Sequence, residues 1–190
     1  MAKVIALMLA AGRGTRFGSD KRLARLPGGR SLLAASVESA LQVFAEVHVL
    51  LRPGDDPQAL GLPVACRIIR CHDSDQGMGH SLAAGIRAMA GQDAEAIAVL
   101  LGDMPWIRAD SLQLLCSHAA AERIVYPRYD GQRGHPVLFG RAFWSQLQTL
   151  RGDEGARALL QANASACHGI VLHDPGVLRD VDRPEALLEP

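Results

Sequence analysis

A glycine-rich loop near the amino terminus carries several positive charges. The loop runs from Leu9 to Lys21. Its glycines are Gly12, Gly14 and Gly18, and its cations are Arg13, Arg16 and Lys21. Glycine lets backbone N–H groups approach a phosphate chain, and the cations form charge-assisted hydrogen bonds with a triphosphate. The spacing matches neither the Walker loop nor the GxGxxG pattern. The alternative interpretation is a solvated turn with incidental charges.

A second candidate group, the carboxylate of Asp103, directly follows the most convincing strand of the chain. Residues 96–101 read AIAVLL and lead into Gly102-Asp103-Met104-Pro105. In an open parallel sheet, ligands bind at the carboxyl ends of strands, and carboxylate oxygens are good ligands for Mg²⁺. On its own, Asp103 could be a turn aspartate that bonds its own backbone, as is common before proline. Combined with the glycine loop, it favours metal-assisted phosphate chemistry.

The elements that must position these groups alternate between strand and helix. Residues 4–9, 47–51 and 96–101 are continuously apolar, which is typical of strands covered on both faces. A helical apolar face spans Leu33 to Phe44, with Ser31 as its candidate N-cap. This alternation over the first 120 residues predicts a three-layer α/β/α, Rossmann-like fold with a mostly parallel sheet.

The remaining predicted elements are shorter. A weak strand is expected at 66–69, a helix at 81–90, and a further helix capped by Asp110. After residue 120 we expect strands at 124–126, 136–139 and 170–172, helices at 141–150 and 154–163, and a final short helix from Pro184. The short strands of this region predict an antiparallel excursion in the sheet.

Composition excludes several classes of partner. The chain has 190 residues, for which one core suffices, and 20 acidic and 20 basic residues. The zero net charge and the 4% aromatic content give no case for nucleic acid or a membrane. The apolar run from Val4 to Ala11 is too short to span a bilayer. The four cysteines form no CxxC pair, which indicates free thiols and a cytoplasmic location.

Several motifs together resemble those of a known enzyme family. LAAGRGTRFGSDK resembles the LAAGxxxRxGxxK loop of nucleotidyltransferases with the nucleotide-diphospho-sugar transferase fold, and GDMPWI is similar to their GDxP motif. The segments GMGHSL, GHPVLF and GDEGAR and the closing DVDRPE resemble the molybdenum cofactor cytidylyltransferases, which are MobA-like NTP transferases. The resemblance covers nearly the whole chain as one domain, 1–190, with a nucleotide-binding half (1–120) and an acceptor-binding half (121–190).

The resemblance implies a reaction and a set of site residues. The enzyme would transfer CMP from CTP to the terminal phosphate of the molybdenum cofactor, with Mg²⁺ as cofactor and pyrophosphate as product. The implied catalytic residues are Arg16, Lys21 and Asp103, and the implied metal ligands are Asp103 and Asp182. The implied nucleotide-binding residues are Leu9, Ala10, Ala11, Gly12, Arg13, Gly14, Lys21, Gly77, Gly79 and Ser81. The implied acceptor-binding residues are His135, Asp153 and Arg157.

Several alternatives stay open at this point. Related guanylyltransferases have LAGG in the loop, so Ala11 favours CTP over GTP. Asp180 could replace Asp182 as a metal ligand, His135 could be structural, and Asp153 could cap the following helix. The acceptor could instead be a sugar phosphate or an alditol phosphate. The protein could also deliver the molybdenum cofactor to an apo-molybdoenzyme as a chaperone with little catalysis.

Overall fold

A single mixed sheet forms the centre of the molecule. The computed structural model describes residues 2–12, 17–153 and 155–187. Its strands are β1 (Val4–Leu9), β2 (Val47–Leu51), β3 (Arg67–Arg70), β4 (Ala96–Leu101), β5 (Ile124–Tyr129), β6 (Gln132–Arg133), β7 (Val137–Gly140) and β8 (Cys167–Val171). Its α-helices are α1 (Leu32–Leu41), α2 (Met78–Met89), α3 (Ala109–Ser117), α4 (Trp144–Leu147) and α5 (Arg157–Ala162).

The order of the strands is β3-β2-β1-β4-β7-β5-β6, with β8 paired to β5. Strands β1, β2, β3 and β4 pair in parallel, and so do β5 and β8. Strand β7 is antiparallel to both of its neighbours, β4 and β5, and β6 is antiparallel to β5. The predicted mainly parallel α/β sheet with an antiparallel excursion after residue 120 is confirmed.

Helices cover both faces of the sheet. Successive residues of β1 alternate between two cores, because side chains of a strand point to opposite faces. Ala6 and Met8 pack with α1 and α3, whereas Ile5 and Leu7 pack with α2, α4 and α5. Burial on both sides explains why the central strands are continuously apolar. The predicted three layers are therefore present.

Two of the predicted helix caps can be compared with the structure. The hydroxyl of Ser31 accepts a hydrogen bond from the N–H of Ala34 at 3.2 Å, so the predicted cap of α1 is confirmed. The predicted cap at Asp110 is wrong, because α3 begins at Ala109 and its N-cap is Arg108. Asp110 lies in the first turn instead, where its carboxylate pairs with the guanidinium of Arg108 and accepts the N–H of Ser111 at 2.9 Å.

The short elements of the second half differ most from the prediction. The helix expected at 141–150 is a 3₁₀ turn, Arg141–Phe143, followed by α4 alone. The helix expected at 154–163 begins only at Arg157, and the strand expected at 170–172 begins earlier, at Cys167. The final predicted helix is a 3₁₀ turn, Pro184–Leu187. Among the described helices, none has the length and apolarity needed to cross a bilayer.

The position of β7 in the interior of the sheet yields a prediction. Phe139 is 1% exposed and pairs with both β4 and β5. Phe139→Ala should lower the free energy of unfolding by about 3–5 kcal/mol, because it removes a buried ring and leaves a cavity. Urea denaturation measures the loss. Val171→Ala, at a side chain that is 73% exposed, is the control and should cost little. Equal losses in the two variants would contradict an interior β7.

Candidate functional site

A cavity of about 460 Å³ opens at the carboxyl ends of β1 and β4. Seven of the residues implied to bind nucleotide line it, namely Leu9, Ala10, Ala11, Gly12, Lys21, Gly77 and Ser81. Asp103 and Asp153 line it as well. Gly79 is the second residue of α2 and does not line the cavity. Arg13, Gly14 and Arg16 lie outside the described residues.

The pairing of β1 with β4 brings the two motifs together. Leu9 and Leu101 are register partners at the ends of their strands. The N–H of Gly102 then donates to the carbonyl of Leu9 at 3.1 Å, which extends the parallel ladder by one bond. The loop after β1 and the carboxylate of Asp103 therefore leave the sheet side by side, as the sequence predicted for adjacent strand ends.

The ammonium group of Lys21 joins two carboxylates from distant parts of the chain. Its Nζ lies 2.6 Å from Oδ2 of Asp103 and 3.3 Å from Oδ1 of Asp182. It also donates to the carbonyl of Val181 at 3.2 Å. Burial disfavours the charged form of Lys21, but the two carboxylates outweigh this effect and raise the pKa of its ammonium group. Lys21 is therefore a cation at neutral pH.

Three carboxylates converge beside Lys21 and could hold a divalent cation. One oxygen from each of Asp103, Asp180 and Asp182 lies within 4.8 Å of the other two. Burial and repulsion from the other two carboxylates raise the pKa of Asp180. A concentration of negative charge of this kind suits a hard cation with oxygen ligands, such as Mg²⁺ or Mn²⁺.

Backbone and stacking contacts hold the segment that carries Asp180 and Asp182. The N–H of Val181 donates to the carbonyl of Asp103 at 3.1 Å. The guanidinium of Arg179 stacks on the ring of Trp106, 3.7 Å from its centroid. Asp103 and Trp106 are thus both tied to residues 179–181.

The start of α2 packs tightly against residues 151–153. The N–H of Gly79 donates to the carbonyl of Gly152 at 2.7 Å. A Cβ at Gly77 would lie 2.4 Å from Oδ1 of Asp153, so only glycine fits there. Asp153 does not cap α5, because the N-cap of that helix is Ala156. The carboxylate of Asp153 instead lines the cavity beside Gly77.

A second cavity of about 220 Å³ adjoins the first. The two cavities share Leu9, Met78 and Leu101. His135 and Arg157, both implied to bind the acceptor, line the second cavity together with Arg133, and its described lining residues include no carboxylate. Its other lining residues are mostly apolar, among them Leu82, Val99, Val137, Phe139 and Leu160. The cavity therefore combines an apolar wall with cationic groups.

His135 is one of the residues that line the second cavity. Within the described residues its Nδ1 has no hydrogen-bond partner, although the atom is buried. Burial lowers the pKa of the imidazole, and the nearby carboxylate of Asp103 only partly opposes this effect. His135 is thus neutral at pH 7, and the residue lines the second cavity while its Nδ1 is buried in the protein.

A buried guanidinium that the sequence pattern did not single out also lines the first cavity. Arg22 is 6% exposed and donates to the carboxylates of Asp20 and Asp55 and to the carbonyl of Ala10. Arg52, whose side chain is more exposed than that of Arg22, pairs with the same two carboxylates. The only signal in the sequence was the cluster of charges in Asp20-Lys21-Arg22, which by itself is typical of a solvated turn.

The chain is similar to known proteins over most of its length. Residues 6–167 match the MobA-like NTP transferase domain. The chain is 31% identical to the purine catabolism protein PucB of Bacillus subtilis, over 96% of the chain and 93% of PucB. It is 30% identical to the nicotine blue oxidoreductase of Paenarthrobacter nicotinovorans, over 97% of the chain and 94% of that protein.

A solved structure supports the fold over the whole chain. Rv0371c from Mycobacterium tuberculosis H37Rv superposes with a TM-score of 0.87 at 26% identity, covering 100% of this chain and 98% of Rv0371c. A manganese complex of Rv0371c superposes with a TM-score of 0.82 at 25% identity, covering 100% of this chain and 99% of that one. The family match and these superpositions agree on one type of α/β domain.

The contact between α2 and residues 151–153 yields a prediction. Gly77 has a φ of 110°, and a Cβ there would collide with Asp153 and Gly152. Gly77→Ala should destabilise the protein by about 2 kcal/mol or more, because it combines backbone strain with the collision. Thermal unfolding measures the loss, and faster hydrogen exchange at the N–H of Gly79 should accompany it.

Gly91→Ala is the matched control, because a Cβ at Gly91 meets nothing within 4 Å. It should leave both the melting temperature and the exchange at Gly79 close to those of the unmodified protein. Normal exchange at Gly79 in Gly77→Ala would contradict the proposed tight contact.

Proposed function

The chain belongs to the MobA-like NTP transferase family, and we propose that the nucleotide it transfers is CMP, taken from CTP and passed to the terminal phosphate of the molybdenum cofactor. The predicted class of enzyme, a nucleotidyltransferase, is confirmed by this membership. The identities of the nucleotide and of the acceptor are our proposal. They rest on Ala11 in the loop, on the GHPVLF and GDEGAR segments, and on the character of the two adjoining cavities.

One observation supports the proposal most directly. The first cavity is lined by Asp103, one of the three clustered carboxylates, and it adjoins a second cavity lined by arginines and apolar side chains. The first has the groups that a metal-bound triphosphate requires. The second suits an acceptor that combines a phosphate with a flat ring system, since guanidinium groups bind phosphate and apolar side chains pack on the faces of rings. The molybdenum cofactor has both features. We therefore propose that residues 1–120 bind the nucleotide and residues 121–190 the acceptor.

The proposed reaction exchanges one phosphate bond for another. An oxygen of the acceptor phosphate attacks the α-phosphorus of CTP in line and forms a new P–O bond. The bond between the α-phosphorus and the bridging oxygen breaks, and pyrophosphate leaves with the electron pair. The attacking phosphate is already an anion at neutral pH, so no general base is required. Catalysis would then depend on positioning and on stabilisation of charge.

The residues of the first cavity have distinct roles in this proposal. Backbone groups of residues 9–12 hold the nucleoside, and Ser81 and Gly77 line the same cavity. Lys21 stabilises the charge that grows on the leaving pyrophosphate. We propose that Arg16, Arg13 and Gly14 also bind the triphosphate. Asp103 and Asp182 would hold a divalent cation, with Asp180 beside them.

The divalent cation would neutralise phosphate charge when bound, as metal ions do in phosphoryl transfer. The donor set of carboxylate oxygens fits Mg²⁺, which we propose as the physiological ion. The manganese complex of Rv0371c supports a divalent ion in this family.

The second cavity would hold the acceptor with its phosphate towards Asp103. Arg157 and Arg133 offer guanidinium groups to the anionic end, and we propose that the neutral His135, which lines the same cavity, also contacts the acceptor. We propose that Asp153, at the wall of the first cavity, contacts the acceptor where the two cavities meet. Mostly apolar residues would cover the ring system and exclude water from the transfer.

The proposed function is tested by pyrophosphate release with each NTP, with and without the molybdenum cofactor. We expect release only with CTP and the cofactor together. Lys21→Ala should lower turnover by on the order of 10²-fold, as for the loss of one electrostatic stabiliser, and Asp103→Ala should abolish the dependence on Mg²⁺. Release with a sugar phosphate or an alditol phosphate in place of the cofactor would contradict the acceptor. Binding of the cofactor without release from any NTP would instead support a delivery protein.

The position of Lys21 yields a prediction about the metal. Its ammonium group neutralises Asp103 and Asp182 at hydrogen-bond distance, so a divalent ion must displace it. Lys21→Ala should therefore bind Mn²⁺ more tightly than the unmodified protein does, by about tenfold, when no nucleotide is added. Isothermal titration or electron paramagnetic resonance of Mn²⁺ measures this affinity.

Arg25→Ala is the control for net charge. It removes one exposed cation that bonds only a backbone carbonyl, that of Gly29, among the described residues. It should leave the affinity for Mn²⁺ unchanged. Unchanged affinity in Lys21→Ala would contradict a shared site for the ammonium group and the divalent ion.

A further inference from the structure

The guanidinium of Arg22 uses every N–H that it has. Its five N–H groups make five hydrogen bonds. Nε donates to Asp20 at 2.8 Å, and Nη2 donates to Asp20 at 2.6 Å and to Asp55 at 2.8 Å. Nη1 donates its two protons to Oδ2 of Asp55 at 2.5 Å and to the carbonyl of Ala10 at 2.9 Å. A guanidinium has five donors in a rigid planar arrangement, so this set fixes the group completely.

The bond to Ala10 controls the peptide unit that follows it. The carbonyl of Ala10 and the N–H of Ala11 belong to the same planar trans peptide and point in opposite directions. By holding the carbonyl, Arg22 also holds the N–H of Ala11 on the other side of the chain. Ala11 is 2% exposed and lines the first cavity.

The N–H of Ala11 is a donor without a partner in the described part of the chain. None of the described backbone or side-chain acceptors takes its proton. Buried backbone N–H groups are almost always bonded, because an unpaired one costs about as much as a lost hydrogen bond. A donor left over at the wall of a ligand cavity is therefore suited to an acceptor atom on the ligand.

We propose that Arg22 is a positioning residue for base recognition. It orients the Ala10–Ala11 peptide so that the N–H of Ala11 donates to an acceptor atom on the edge of the base. This inference rests on the proposed function in one respect, that the ligand of the first cavity is a nucleoside triphosphate. It assigns a role to a residue that contacts the loop rather than the reacting phosphates.

The surrounding charges make Arg22 difficult to replace. Two carboxylates, Asp20 and Asp55, hold its guanidinium, and a lysine at this position has only three donors on a point charge. Asp20 also accepts the backbone N–H of Arg22 and thereby caps the turn Lys21–Leu23. The same network thus orders the turn that carries Lys21, which is proposed to bind the triphosphate. An experiment must therefore distinguish an effect on base recognition from an effect on triphosphate binding.

Arg52 offers a matched control within the same network. Its guanidinium pairs with Asp20 at 2.9 Å and with Asp55 at 3.3 Å, as that of Arg22 does. Unlike Arg22, it makes no hydrogen bond to Ala10. Arg52→Lys therefore perturbs the ion pairs without releasing the Ala10–Ala11 peptide, whereas Arg22→Lys does both.

The experiment compares two ligands that share the triphosphate but not the base. Dissociation constants of CTP and of inorganic tripolyphosphate are measured by calorimetry with Mg²⁺ for the unmodified protein, Arg22→Lys and Arg52→Lys. We expect Arg22→Lys to bind CTP about tenfold more weakly, as for one lost hydrogen bond, with its affinity for tripolyphosphate unchanged. Arg52→Lys should bind both ligands as the unmodified protein does.

Three results would overturn the inference. They are an equal loss of affinity for both ligands in Arg22→Lys, no loss for either ligand, and the same selective loss in Arg52→Lys. If Arg22→Lys does not fold, Asp55→Asn replaces it. This substitution weakens the ion pair that holds the guanidinium of Arg22. It should lower the affinity for CTP and not that for tripolyphosphate, by a smaller factor than Arg22→Lys. Failure of the proposed function is distinguishable, since the unmodified protein would then bind CTP no better than tripolyphosphate.

Discussion

The parallel pairing of β1 with β4 is the constraint on which the site depends. It places Leu9 opposite Leu101, and the N–H of Gly102 continues the ladder beyond the strands. A slip of one residue would turn the side chains of β1 to the wrong faces, so the apolar pattern enforces this register. A Cβ at Gly102 would lie 2.8 Å from the side chain of Leu33, which shows how closely α1 covers the end of the ladder. The loop and Asp103 cannot separate without breaking this core.

Electrostatic balance then determines how the charged groups can coexist. Asp103, Asp180 and Asp182 repel one another, and the ammonium of Lys21 offsets this repulsion from a partly buried position. The other side of the loop has a balanced group of its own, in which Arg22 and Arg52 neutralise Asp20 and Asp55. In the first group, a divalent ion with its triphosphate can take the place of the ammonium of Lys21 beside the carboxylates. In the second group, each carboxylate is held by arginines, and the group serves as a rigid support.

The sequence predicted those features that depend on local pattern. The buried strands, the cap at Ser31 and the position of Asp103 after β4 follow from apolar runs and from the rule for strand ends. The resemblance added the residues of the second half, and the structure brings His135 and Arg157 to one cavity and Asp153 to the other. The roles of these residues stay predictions.

Features that depend on distant contacts could not be predicted in this way. The role of Arg22 follows from a carbonyl and two carboxylates that lie apart in sequence, and a pattern of charges does not show which of them meet. The stack of Arg179 on Trp106 has the same origin. The short helices α4 and α5 were predicted too long because tertiary packing, rather than propensity, determines where such short helices end.

The tie between the GDMP segment and residues 179–182 has a consequence for the order in which the molecule forms. The ion pair between Lys21 and Asp182 spans 161 positions of the chain, and contacts of such sequence separation form late because the loop between them must first be ordered. During synthesis on the ribosome, the strands β1 and β4 can pair while the carboxylate cluster is still incomplete. Competence to hold a divalent ion would therefore be acquired only once Asp182 has emerged, after the strands that support the site.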